Sequence, residues 1–99
     1  MKVLARENPG MRPLQSDTEI SPDLFNVIII DNDTNTYQEV IDVCMAVLGI
    51  DFEHAYRIAL AVDHNGEALV LRASREEAEA AAEGIRAIGI EVRVLPAND

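Results

Sequence analysis

The stretch LFNVIIIDNDTNTYQEVIDVCMAVLG, residues 24–49, passes from an apolar run through six polar residues into a helical pattern. The opening run is β-branched and almost continuously apolar, which suits a strand buried on both faces. From about Thr36 the apolar positions Val40, Val43, Cys44, Val47 and Leu48 recur at helical spacing and form one stripe. Thr36 followed by Glu39 is a capping-box pair, with Asn35 a competing N-cap, and Gly49 is a natural C-cap. A strand this apolar belongs at the centre of a sheet, and that placement decides the fold.

Working outward, Asp51 can cap a second helix whose Ala55, Ile58, Ala59 and Val62 face inward, and DHNG at 63–66 supplies turn chemistry at its end. EALVLRA at 67–73 reads as a strand. Ser74 with Glu77 forms a second capping box, and the helix that follows presents Ala78, Ala81, Ala82, Ile85 and Ile88 on one side. Such an alanine face lets a helix approach a sheet closely. Gly84 weakens this helix by about 1 kcal/mol relative to Ala, and Gly89 ends it. IEVRVL at 90–95 alternates as a half-exposed strand does. The order β-α-α-β-α-β predicts one small α+β domain. Its last two strands are parallel to each other, with the first inserted antiparallel between them and three helices on the three-stranded sheet. Arg72, Glu91 and Arg93 blunt the edges.

Residues 1–23 hold Pro9, Gly10, Pro13 and Pro22 with scattered charge and no period, and read as a flexible arm before a domain at 24–99. Eight basic against eighteen acidic residues leave a net charge of −10. That balance opposes nucleic acid, which requires a basic footprint, and suits ligands or partners that carry positive charge. The single cysteine makes no internal disulfide, and no segment approaches the roughly 18 apolar residues of a membrane span. The expectation is a cytoplasmic protein.

The polar residues 31–36 admit several chemistries. Counted from Asp31, calcium-loop positions fall on Asp31, Asp33, Asn35, Tyr37, Glu39 and Asp42. However, Thr36 stands where a sharp turn requires Gly, and residues past Thr36 favour helix. An apolar strand ending in Asp-x-Asp also resembles the opening motif of the haloacid dehalogenase family, though Asn35 and the short chain depart from it. The plainest reading is a strand-to-helix turn whose side chains bond nearby backbone N–H groups.

From Phe25 to Gly66 the chain resembles the ClpS family, small adaptors that deliver proteins with particular N-terminal residues to the Clp AAA+ unfoldase and its protease. The carriers are the apolar strand, the Asp-Asn-Asp run, two helices ending near Val62-Asp63 and Gly66 three residues later. The resemblance implies the same βααβαβ fold and no enzyme activity. Carried over residue by residue, it places α-amino binding on Asp31 (usually Asn), Asn32 (usually Asp) and Asp63 (usually His). It lines a pocket for the first side chain with Asn35, Tyr37 (often Met), Val40, Ala59 (often Met) and Val62. Docking on the unfoldase falls on Glu76, while Ala81 replaces a family Lys. The arm would enter the unfoldase pore. A free α-amino group is a cation with three donors, and carboxylate acceptors bind it through charge-assisted bonds about twice as strong as neutral ones. Asp in place of His strengthens that attraction, although two unpaired carboxylates close together also repel. Tyr37 and Ala59 redistribute the pocket's bulk, so the family's preference for large aromatic or aliphatic first residues is not carried over.

Elsewhere, Cys44 reads as a small buried hydrophobe. His54 and His64 lack metal-ligand spacing, and Glu76, Glu77, Glu79 and Glu83 read by default as a solvated face at a helix N-terminus. The expected function is an adaptor for a Clp-type unfoldase and for proteins with a free N-terminal residue. It uses no cofactor, nucleic acid or membrane. The alternatives are an interaction module of the same fold without a peptide site, and a Ca²⁺- or Mg²⁺-binding domain using residues 31–42.

Overall fold

A computed structural model describes residues 23–97. Six elements follow in the expected order: β1 (Phe25–Ile30), α1 (Tyr37–Leu48), α2 (Phe52–Asn65), β2 (Glu67–Ala73), α3 (Arg75–Arg86) and β3 (Glu91–Pro96). The arm expected over 1–23 lies, apart from Asp23, outside the described residues.

The sheet order is β2-β1-β3, with β1 central and antiparallel to both neighbours. The two outer strands are therefore parallel to each other, and α3 connects them. α3 lies against all three strands, α2 against β2, and α1 along both α2 and α3. The core forms where these layers meet. Val27 and Ile29 from the sheet join Ile41, Cys44, Ile58, Ala78, Ala82 and Ile85 from the helices. Cys44 is fully buried there, and burial pushes its thiol pKa up to about 11, so it packs as a hydrophobe and is poorly ionised at neutral pH.

Three local features depart from the sequence reading. First, β1 is not covered equally on its two faces. Val27 and Ile29 are fully buried, whereas Ile28 and Ile30 are only half-buried. Ile28 pairs with Leu69 and Arg93, both exposed on the outer face. Second, β2 carries an irregularity: Val27 faces Leu71 but Ile28 faces Leu69, leaving Val70 as an extra residue. A bulge of this kind shifts the strand's inward phase by one. As a result Ala68 and Val70 are half-buried in one phase, and Leu71 and Ala73 are covered in the other. Third, α2 continues through Asn65, so Asp63 and His64 sit in its last helical turn rather than in a loop.

The N-caps stand where the sequence predicts them, and α1 and α2 end on left-handed glycines. However, α3 stops at Arg86 with Ala87 as a right-handed C-cap, so Ile88 and Gly89 lie in the turn beyond the helix and do not end it. Thr36 and Glu39 form a reciprocal capping box on α1, and Gly49 closes that helix in the left-handed region. Ser74 accepts from the Glu77 backbone N–H at the start of α3. Gly84, which only weakens α3 in isolation, has a packing reason. A Cβ there would stand 2.8 Å from a Val47 methyl, so glycine permits the close approach of α3 to α1.

Candidate functional site

The end of β1 and the end of α2 are drawn together by one backbone bond. The Asp31 N–H donates to the Gly66 carbonyl at 2.9 Å. Gly66 is the C-cap of α2 at φ 85°, a conformation that costs a side-chain-bearing residue energy and lets the chain pass directly into β2. Asp31 and the last turn of α2, which carries Asp63, thus face one another across a short gap.

The loop between them is held by amides. Asn32 Oδ1 accepts the backbone N–H groups of Thr34 at 3.1 Å and Asn35 at 2.9 Å. The Asn32 amide donates to Asn35 Oδ1 at 2.9 Å and, at 3.5 Å, to the Gly89 carbonyl. Asn35 in turn donates to the Ile88 carbonyl at 2.8 Å and to Glu39 Oε1 at 2.9 Å. Glu39 also accepts the Thr36 N–H at 3.0 Å. Those two donors, Thr36 first, hold the Glu39 carboxyl below its ordinary pKa. The loop is therefore pinned to the turn after α3 and to the first turn of α1.

Two of the positions where the sequence departs from the family it resembles touch each other. The Tyr37 hydroxyl donates to Asp63 Oδ2 at 2.6 Å, linking the first turn of α1 to the last turn of α2. That bond, with desolvation and the nearby negative charge, pushes the phenol pKa up to about 12. The Tyr37 ring lies 6.2 Å from that of Tyr56, which stacks on Phe52 at 6.1 Å. His64 lies beside Asp63, with 3.9 Å between Nε2 and Oδ2.

These groups surround a cavity of about 260 Å³. Its polar wall is Asp31, Asn32, Asp33, Asn35, Thr36 and Asp63, and its apolar wall is Val40, Ala59 and Val62, with Tyr37 between them. Every residue that the resemblance assigns to amine or side-chain binding lies on this lining. Asp33 and Thr36 were not assigned, and their place in the loop was the signal available. Among the described residues the carboxylates of Asp31 and Asp33 make no side-chain hydrogen bond, and one Asp63 oxygen is unused. The wall can thus offer anionic acceptors to a compact cation with several donors.

Glu76 stands apart, exposed in the first turn of α3. A larger hollow of about 410 Å³ opens near it, lined by Val47, Leu48, Leu71, Ala73, Ala80, Ala81 and Glu77. With one carboxylate at an otherwise apolar rim it lacks converging polar groups, so the smaller cavity is the better candidate for ligand chemistry.

The calcium-loop geometry does not form. Tyr37, Glu39 and Asp42 are in α1, Glu39 folds back on the cap, and Asp42 accepts from Gln38 at 2.7 Å. Among the described residues no three or more His, Cys, Asp or Glu are grouped to hold a metal ion, and no helix is long and apolar enough to cross a membrane.

Comparison with known proteins supplies independent information. A family model described as ATP-dependent Clp protease adaptor protein ClpS matches residues 20–92. No curated protein matches. Among solved structures, Agrobacterium tumefaciens ClpS2 bound to L-phenylalaninamide superposes with a TM-score of 0.74. The two share 22% sequence identity, over 78% of this chain and all of that one.

Proposed function

The chain belongs to the ClpS family and is an adaptor of the Clp protease, and we propose that it recognises substrate proteins by their free N-terminal amine at the cavity of residues 31–40 and 59–63. One observation carries this reading: carboxylates from two separate segments, Asp31 at the tip of β1 and Asp63 at the end of α2, meet on the lining of one cavity whose other wall is Val40, Ala59 and Val62. An α-ammonium group fits between such acceptors, and its three donors match the oxygens left unused. Asn32 shapes the loop that presents Asp31, because its own side-chain oxygen already accepts two backbone N–H groups. The ligand in the Agrobacterium relative is consistent with this, since L-phenylalaninamide carries a free α-amino group.

Delivery to a Clp-type AAA+ unfoldase is assigned to the exposed first turn of α3 around Glu76, with the N-terminal arm entering the pore. The work takes place in the cytoplasm.

Isothermal titration with short peptides, each prepared with a free and an acetylated N-terminus, tests the amine. Acetylation removes the charge and two of the three donors, and should weaken binding about tenfold or more. Asp31→Ala and Asp63→Ala should each lower affinity for the free form by a similar factor. Equal affinity for both forms would leave a protein-interaction module that does not read the N-terminus.

A further inference from the structure

Resting on the amine-capture reading, we propose that Tyr37 determines which first residue this site accepts: tied to Asp63, its ring closes the apolar part of the cavity, so N-terminal residues with small side chains enter and large aromatic or aliphatic ones do not. The apolar wall has little surface left to offer. Val40 is 5% exposed, Ala59 3% and Val62 3%. A large side chain gains affinity by covering apolar surface that water would otherwise wet, and here that surface is already covered by the protein.

Making room means moving Tyr37, which sits one residue after the cap of α1 and one turn before Val40. Its hydroxyl holds Asp63 at 2.6 Å, one turn beyond Ala59 on the facing helix, so the bridge spans the same two helix ends that carry the apolar wall. The far side of the ring is supported by Tyr56 and, through it, by Phe52. Displacing Tyr37 therefore breaks a bond to a carboxylate and an aromatic contact together. Glycine, alanine or serine at position one requires no displacement, and the unused oxygens of Asp31 and Asp63 remain for the amine.

The test is a set of peptides identical after residue one, beginning with Ala, Ser, Leu or Phe, titrated into the full chain and into Tyr37→Ala and Tyr37→Met. The wild type should bind the Ala and Ser peptides about tenfold tighter than Leu and Phe, roughly the effect of one charge-assisted bond. Tyr37→Ala should reverse the order by raising affinity for Leu and Phe. Tyr37→Met keeps a long side chain without the hydroxyl, so it should shift the order in the same direction and covers the case in which the alanine variant does not fold. Wild-type preference for Leu or Phe, with acetylation still abolishing binding, would overturn the assignment to Tyr37 and leave amine capture intact. Binding indifferent to acetylation would overturn both.

Discussion

Two strands of this domain hand over to helices, and they do so by different means. Between β2 and α3 stands a single residue, Ser74, whose hydroxyl accepts the Glu77 N–H at 3.2 Å. Between β1 and α1 stand six residues, yet the cap itself is the same device, Thr36 accepting the Glu39 N–H at 3.2 Å. A capping motif therefore marks a helix start and nothing more. What separates the junctions is the excess in the first one. Two amides, Asn32 and Asn35, lock that loop onto residues 88–89, while Asp31 and Asp33 carry carboxylates with no side-chain hydrogen bond among the described residues. The amides build the loop and the acids are left facing the cavity.

The largest effect expected from breaking this contrast is at Asn32. Asn32→Ala removes an acceptor of two backbone N–H groups and a donor to Asn35. It should cost about 2 kcal/mol, or roughly 10 °C in melting temperature for a domain of this size. Thermal unfolding followed by circular dichroism measures it, and peptide affinity should fall with it as Asp31 loses its fixed position. Asn32→Asp, the residue the family usually carries, keeps the acceptor but sets a carboxylate oxygen against Asn35 Oδ1. Asn35 cannot simply flip, because its amide is committed to Ile88 and Glu39. A smaller loss, about 1 kcal/mol, is expected there. Unchanged melting in both variants would mean the loop is held by something other than these amides.

At the plain junction, Ser74→Ala should cost about 1 kcal/mol, the usual value of an N-cap. It should leave peptide affinity untouched, since Ser74 belongs to the scaffold alone. If binding dropped along with stability, the separation drawn between the two junctions would fail.

Much of this was legible in the residues. Element order, strand placement and the caps other than the end of α3, which stops at Arg86 short of Gly89, follow from apolar spacing and from turn chemistry, which are local properties. The features that escaped are those where local pattern and tertiary packing diverge. The last turn of α2 has no apolar residue after Val62, so periodicity stops there although the helix runs on through Asn65 to its glycine cap. The phase change at Val70 is hidden because EALVLRA places apolar residues in both registers. Gly84 reads as a weak point until α1 is placed against it. For the site, the resemblance named the lining except Asp33 and Thr36. It did not reveal that Tyr37 and Asp63, 26 positions apart, bond to each other. That contact exists only because α1 and α2 bring their opposite ends together.

The smallest expected effect is a pH dependence at Glu39, where the two functions of the first junction overlap. Its carboxyl accepts from the Thr36 N–H and the Asn35 amide, and its folded-state pKa lies below the usual 4.5 of a glutamate. The unfolded chain therefore takes up the proton first as pH falls. The stability Glu39 contributes is complete above about pH 4.5 and disappears as pH drops through the lower folded value. Glu39→Gln keeps an acceptor oxygen for Thr36 but cannot be protonated in this range. Its melting temperature should sit slightly below wild type at neutral pH and converge on it as the solution is acidified from about pH 6 to pH 3. Melting curves that stay parallel over that interval would show that the charge on Glu39 adds nothing to the cap, and that the first junction, like the second, is held by neutral hydrogen bonds.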